Sequence, residues 1–304
     1  MDPMCWACDE RSPRYWSCLV NGGSIVGLLL CETKDELLSR LPLSRPSYSD
    51  PRLSAYTYLN EVGANERYDP YYFGPSLARE IASCPGQGIG THTFSHYYCL
   101  ENGQTLDQFK ADLDCAIIQL RDWGRTCRSI VFPRNQYTGD HLAVCHDLGL
   151  THFRGSEPAW FMSPIPYGQE TKARRALRLL DSYLNIGGQH VPPAQRHPSG
   201  LSNVASSRFL RPYHPRLAAL DGLRLRRVTQ GMRNAAQTDG TFHLWWHPHN
   251  FGSNVEANIA FLTMVLAYYE RLSGEFGMNS KTMSGLSAVN DQPPDVVKSS
   301  GGAS

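Results

Sequence analysis

Apolar residues recur at intervals of three and four along several segments of the chain, which predicts amphipathic helices. The clearest segment runs from Thr105 to Gly124. Thr105 and Gln108 form the pattern of a capping box at its start, and a glycine ends it. Its buried face is predicted from the apolar positions Leu106, Phe109, Leu113, Ile117 and Leu120. Further helices are predicted at residues 34–41, 75–82, 140–148, 170–184, 217–237 and 253–272, the last with a second capping box formed by Ser253 and Glu256.

Short apolar runs between these helices predict strands. Residues 24–30 form a continuous apolar run, as expected for a strand that is buried on both faces of a parallel sheet. Other strands are predicted near residues 89–92, 127–132, 151–154 and 242–246. Strands and helices alternate between residues 89 and 154, and this order favours parallel pairing through right-handed crossovers. We therefore predict an α/β fold.

Composition narrows the class of protein without identifying a reaction. The 304 residues are 41% hydrophobic and 19% charged, as in a soluble globular protein, and the formal net charge is +1. A balanced charge gives no electrostatic basis for binding nucleic acid. The N-terminal residues are polar and no apolar run is long enough to span a bilayer, so a cytoplasmic protein is predicted. The nine cysteines are predicted to be reduced and mostly buried.

The first candidate for chemistry is a polar segment at residues 86–99, which contains His92 and His96. Neutral imidazole is the commonest protein ligand of catalytic divalent metals. If the segment forms a helical turn, the spacing of four residues places both rings on one side. Chance spacing in a polar loop is the alternative, because short motifs have many false positives.

Other polar residues fall at the predicted ends of strands. Arg134 and Asn135 follow the strand after the one that carries the histidine pair, and Arg154 ends the next strand; chemistry collects at the carboxyl ends of such parallel strands. The strand near residue 244 delivers His247 and His249 into a loop, where His249 is predicted to face solvent, with a third metal ligand as the alternative. Structural roles are predicted for three further histidines: His141, His146 and His152.

Three motifs in this order resemble those of the polysaccharide deacetylase family with the NodB-homology fold, in particular an uncharacterised bacterial branch. Residues 91–96 (Thr-His-Thr-Phe-Ser-His) resemble its His-x-x-x-His metal motif. Residues 129–136 occupy the place of its Arg/Pro loop, and residues 244–247 (Leu-Trp-Trp-His) resemble its closing Leu-x-x-His motif. The resemblance covers about residues 24–283 and implies a distorted, incomplete (β/α) barrel. Residues 1–23 are then an irregular N-terminal segment and residues 284–304 a disordered tail.

The resemblance implies a hydrolase acting on a carbon–nitrogen bond, which removes an N-acetyl or other acyl group from an amino sugar of a polysaccharide or its precursor. It implies a divalent metal, with zinc expected, bound by His92 and His96, and a general acid at His247. Arg134 is expected to orient an acidic group or to bind substrate. The expected partner is a carbohydrate, bound by Asn135, Tyr97, Trp245 and Trp246. Core packing is the alternative for at least one of the tryptophans.

The chain departs from the family pattern before its first predicted strand. The family carries an acidic pair in an earlier strand, which supplies a metal ligand and the general base, and residues 1–23 contain no such strand pattern. That strand is therefore predicted to be missing or rearranged, with Asp9 or Asp2 as a substitute and Asp9 assigned as the base. A catalytically degenerate carbohydrate-binding relative is the alternative function, and a different metal-dependent barrel enzyme such as an isomerase is a third. The oligomeric state is left open.

Overall fold

A six-stranded sheet forms the centre of the protein in a computed structural model that describes residues 23–286. Its order is β1-β2-β3-β4-β6-β5, and all neighbours pair in parallel except β5, which is antiparallel to β6. The predicted α/β class with parallel strands is confirmed. The strands are β1 (Gly23–Ile25), β2 (Ile89–Thr91), β3 (Ser129–Ile130), β4 (His152–Phe153), β5 (Gln195–Arg196) and β6 (Ser202–Asn203).

Two more strands form a separate sheet. β7 (Arg208–Phe209) and β8 (Leu244–Trp245) pair with each other in parallel and not with the strands of the large sheet. The described strands therefore form two sheets rather than one continuous barrel wall, and the predicted barrel is not confirmed. The predicted N-terminal segment and most of the predicted tail lie outside the described residues.

Residues 23–286 contain seven α-helices, six of them close to predicted bounds and the seventh, α7, extended beyond its predicted end. Both bonds of the capping box at Thr105 and Gln108 are present at the start of α3. The second predicted box is wrong, because α7 begins one residue later than the box requires and Asn254 is its N-cap. The helices are α1 (Lys34–Ser39), α2 (Pro75–Ser83), α3 (Leu106–Asp122), α4 (Gly139–Asp147), α5 (Lys172–Asp181), α6 (Asp221–Thr238) and α7 (Val255–Phe276).

The first predicted strand is much shorter than its apolar run. β1 ends at Ile25, and residues Gly27–Leu30 form a 3₁₀ turn. The amides of Gly27 and Leu28 leave the strand ladder to bond the carbonyls of Thr93 (2.9 Å) and Phe94 (3.0 Å). A Cβ on Gly27 would lie 2.5 Å from the Phe94 ring, so only glycine allows this approach. The turn therefore supports the loop that carries the histidine pair.

Three apolar clusters stabilise the fold. One lies between the large sheet and helices α3 and α4, a second joins α6 and α7 to β7 and β8, and a third packs the 3₁₀ turn Gly27–Leu30 against the loop after it. The described cysteines are free thiols and most are buried, as with Cys127, whose pKa is raised by burial to about 12. Among the helices of residues 23–286, none has the length and apolar content needed to cross a lipid bilayer.

Two histidines on α4 differ in burial and give a matched pair for a test of pH dependence. His141 is 4% exposed and its ring packs edge-on against Phe109, with 4.8 Å between centroids. Burial lowers the pKa of His141 from 6.5 to about 4. His146, on the same helix, is exposed. Because the folded state keeps His141 neutral, its imidazole is protonated at a higher pH in the unfolded chain than in the folded protein.

We expect the free energy of unfolding to decrease as the pH is lowered from about 6.5 to about 4. In this range the unfolded state binds more protons than the folded state does. Each unit of pKa difference corresponds to about 1.4 kcal/mol. His141→Gln should reduce this fall, measured by urea unfolding at a series of pH values, whereas His146→Gln should keep the wild-type pH dependence. An equal pH dependence in all three proteins would contradict the assignment.

Candidate active site

His92 lies directly after β2, at the carboxyl edge of the large sheet. Its amide donates to the Ile25 carbonyl of β1 (2.9 Å), and its ring Nδ1 contacts the Val131 carbonyl at 2.6 Å. A carbonyl oxygen only accepts hydrogen bonds, so Nδ1 carries the proton and Nε2 carries the free lone pair. This is the arrangement in which backbone partners orient a metal-ligating histidine.

A bend, and not the predicted helical turn, brings His96 to His92. Thr93 and His96 both have left-handed backbones, with φ of 64° and 61°, and the Thr93 hydroxyl accepts a bond from the Tyr97 amide (2.7 Å). The two imidazole rings meet edge to face, with centroids 4.8 Å apart. The predicted pairing of the rings is therefore observed, with a different backbone.

Backbone strain collects around this site. The loop after β3 contains Arg134 and Asn135, which are also left-handed, with φ of 53° and 55°. Such conformations are uncommon for residues other than glycine and cluster at functional sites. Four of the five such residues between 23 and 286 lie in the two loops that follow β2 and β3.

A buried carboxylate holds the histidine loop in place. Asp112 on α3 is fully buried and accepts bonds from the amides of Phe94 (2.8 Å) and Ser95 (3.3 Å). It also accepts from the hydroxyls of Ser95 and Tyr56. Burial raises the pKa of Asp112, while these four bonds lower it. Asp112 was not predicted, because its role depends on contact between segments far apart in sequence.

Both histidines of the pair are held neutral. Burial and the neighbouring His96 lower the pKa of His92 to about 3. Burial and the charge of Arg134 lower the pKa of His96 to about 4. His247 contributes to both shifts, so the third predicted imidazole lies within electrostatic reach of the other two. Neutral imidazole is the form that binds metal.

His247 follows β8 and is exposed on one side. Its ring lies edge-on to Trp245, with centroids 5.5 Å apart, and is stacked with His249 at 5.2 Å. Partial burial, His249 and Arg154 lower the pKa of His247. His249 is exposed.

The site is only partly suited to a metal ion. His92 and His96 offer two neutral imidazoles, but no group of three histidine, cysteine, aspartate or glutamate side chains between residues 23 and 286 is placed to hold a metal. The predicted base Asp9, and Asp2, lie outside the described residues.

Arg134 sits between two aromatic rings near His96. Its guanidinium lies 4.3 Å from the ring centroid of Tyr98 and 4.7 Å from that of Tyr167, and 3.5 Å from the Glu101 carboxylate. Tyr98 in turn lies edge-on to His96, at 5.0 Å. Tyr98 is therefore the aromatic residue beside the histidine pair.

The prediction that Tyr97 contacts a sugar is wrong. Tyr97 is 0% exposed and its hydroxyl bonds the Thr105 carbonyl (2.9 Å), so it belongs to the core. For Trp246 the structure favours the alternative of core packing, because its ring stacks on Phe251 and packs against the second apolar cluster. Side chains alternate along a strand, and β8 therefore turns Trp245, and not Trp246, toward the site.

Arg154 links the parts of the site; the sequence placed it at a strand end but assigned it no chemical role. It is 7% exposed, and burial lowers its pKa to about 9. Its Nη2 donates to Asn135 Oδ1 (2.8 Å), and its guanidinium covers one face of Trp245 at 4.1 Å. Glu157, three residues further on, was not named by the sequence analysis of strand ends. The position of both residues just after β4 was the available signal.

Comparison with known proteins finds no protein-family profile and no curated sequence that matches the chain. Similar solved structures include a CE4 family pseudoenzyme from Bacillus anthracis, 10% identical over 69% of this chain and 50% of that one, with a TM-score of 0.37. Another is described as a polysaccharide deacetylase from Mycobacterium smegmatis, 12% identical over 71% of this chain and 66% of that one, with a TM-score of 0.47.

A third similar structure is a GH57-type branching enzyme from Pyrococcus horikoshii, 13% identical over 69% of this chain and 46% of that one, with a TM-score of 0.38. The chain spans about half to two thirds of the length of these proteins. At this level of similarity these structures assign no function to the chain.

Proposed function

We propose that the protein is a metal-dependent hydrolase that removes an N-acetyl or other acyl group from an amino sugar. The supporting observation is the pair of neutral imidazoles, His92 and His96, with His247 in electrostatic reach of both. His92 and His96 would hold a divalent ion, and zinc is the first choice because it accepts nitrogen ligands in open catalytic sites. When bound, such an ion polarises the acyl carbonyl and lowers the pKa of water.

Cleavage of an amide requires a proton on the leaving nitrogen, and His247 is proposed to deliver it. The lowered pKa of His247 leaves the ring neutral at pH 7, so it must take up a proton from solvent before it can donate one to the leaving nitrogen. The attacking water releases a proton in the same reaction. Asp9 is proposed as the base that removes this proton.

Arg154 is proposed to stabilise the negative charge that develops on the acyl oxygen. Its guanidinium is buried beside the histidines, and its Nε has no hydrogen-bond partner among residues 23–286. A fixed positive group in a site shielded from water favours an oxyanion. Asn135 and Trp245, which contact Arg154, are proposed to meet the sugar next to the acyl group.

A catalytically degenerate carbohydrate-binding protein is the second candidate. It is favoured by one observation: in the described part of the chain, no carboxylate joins the histidine pair, and the charges that act on the pair are Arg134 and Arg154. The positive charges of Arg134 and Arg154 repel a divalent metal ion, so metal binding needs an acidic ligand from elsewhere in the chain.

Metal binding and acetate release separate the two candidates. The full chain is stripped with chelator, titrated with Zn²⁺ or Mn²⁺ in a calorimeter, and assayed for acetate release from N-acetylglucosamine oligomers. The hydrolase proposal expects one ion per chain and acetate release that depends on it. Sugar binding without metal binding or acetate release would support the degenerate relative and overturn the hydrolase proposal.

A further inference from the structure

A cavity of about 260 Å³ adjoins the site on the side of β7 and β8. Trp245, His247 and Asn135 form the part of its lining that belongs to the proposed active site. The volume is slightly below the range of about 300–1,000 Å³ that is usual for small-molecule pockets. It therefore suits one substituent of a substrate, or part of one sugar ring.

Three arginines also line this cavity: Arg178, Arg208 and Arg211. Arg208 is buried and bonded to Asp181, which is also buried, and Arg178 pairs with Glu170. No carboxylate of residues 23–286 comes within ion-pair distance of Arg211. The cavity therefore contains a guanidinium without a carboxylate partner in the described chain.

The position of Arg211 is fixed by its neighbours. Its Nε donates to the Ser182 hydroxyl (3.2 Å), and its carbonyl accepts a bond from Arg224. Burial lowers the pKa of Arg211, and the nearby Arg178 lowers it further. A guanidinium that is partly desolvated and close to a like charge is stabilised by an anion.

The acidic residue of the cavity does not cancel this charge. The Glu157 side chain is 9% exposed and lies 3.9 Å from Arg208. Burial raises the pKa of Glu157 to about 7, so a large part of the population is uncharged near neutral pH. Asp181 is shared between Arg208 and Arg227. Arginines therefore outnumber the charged carboxylates around the cavity.

We propose that this cavity binds an anionic group on the sugar substrate, a carboxylate or a phosphate, through Arg211 and Arg178. The proposal rests on the proposed function for the adjoining acyl site, and it defines the substrate class as an acidic amino sugar or its conjugate. The guanidinium group is suited to this role, because its planar fork matches the oxygens of both carboxylate and phosphate.

Binding measured without added metal tests the cavity separately from hydrolysis. The full chain is titrated calorimetrically with glucuronate, glucose 6-phosphate, inorganic phosphate and glucose. We expect the charged sugars to bind at least about tenfold more tightly than glucose, with an affinity that falls as salt is added. Whichever of glucuronate and glucose 6-phosphate binds more tightly shows whether the cavity prefers a carboxylate or a phosphate. The affinity for inorganic phosphate shows how much of the binding comes from the anion alone.

Arg211→Gln is expected to lower the affinity for the charged sugars at least about tenfold, and Arg211→Lys by less. Arg216→Gln removes a charge from an exposed position that does not line the cavity, and it should bind as the wild type does. Thermal unfolding of each variant shows whether it is folded. Equal binding of glucose and the charged sugars, or wild-type binding by folded Arg211→Gln, would overturn the proposal.

The two proposals fail in different ways. Binding of charged sugars by Arg211 without acetate release from any substrate would leave the cavity assignment standing and remove the hydrolase. Acetate release from neutral oligomers, together with wild-type binding of the charged sugars by folded Arg211→Gln, would leave the hydrolase standing and remove the anionic subsite.

Discussion

Replacing His92 or His96 with glutamine is expected to abolish metal-dependent acyl hydrolysis and to reduce bound metal to a trace. The two rings are the neutral imidazoles that the described chain offers at the sheet edge, 4.8 Å apart. A bound ion contributes several kcal/mol of transition-state stabilisation, and each 1.36 kcal/mol is a factor of ten in rate. We therefore expect a loss of roughly 10³-fold or more in kcat/KM, with metal content measured by elemental analysis.

The control is His146→Gln, which removes an exposed imidazole from α4, away from the loops that form the site. It should retain the metal content and rate of the wild type. The His92 ring is also hydrogen-bonded to the Val131 carbonyl (2.6 Å), and replacing it removes a structural contact. Circular dichroism therefore has to show that each variant is folded. If a folded His92→Gln protein keeps both metal and rate, the pair is not the metal site.

Asp112→Ala is expected to destabilise the protein by about 3–5 kcal/mol and to disorder the histidine loop. The substitution leaves the amides of Phe94 and Ser95, and the hydroxyls of Ser95 and Tyr56, without their buried acceptor. Urea unfolding measures the loss. Metal affinity should fall with it, because the same loop carries both proposed ligands.

Asp112→Asn should lose less stability than Asp112→Ala. Its amide oxygen still accepts from the backbone, and its amide nitrogen can donate to a hydroxyl. Burial already raises the pKa of Asp112, so a neutral side chain is tolerated there better than an apolar one. Asp114→Ala, on the same helix, removes a surface pair with Lys110 (3.6 Å) and should change stability by a few tenths of a kcal/mol. Equal stability of Asp112→Ala and Asp114→Ala would show that Asp112 does not anchor the loop.

The order of strands and helices in the sequence indicates where the site lies but not how its side chains are oriented. The order of elements correctly placed His92, Arg134 and Arg154 after successive parallel strands. It could not tell Tyr97 from Tyr98, because a bend with left-handed residues decides which ring faces outward. Nor could it foresee that Gly27 leaves its strand to bond the histidine loop.

The sequence by itself determined the features that depend on neighbours along the chain. Helix spacing, the capping box at Thr105 and the order of strands and helices are local, and local preferences are readable from residue types. The tertiary structure alone decided which distant groups meet. The bonds of Asp112 to the histidine loop, and the cavity shared by Arg211 and His247, join segments separated by many residues. Their contacts are set by packing of the whole chain, which no local pattern encodes.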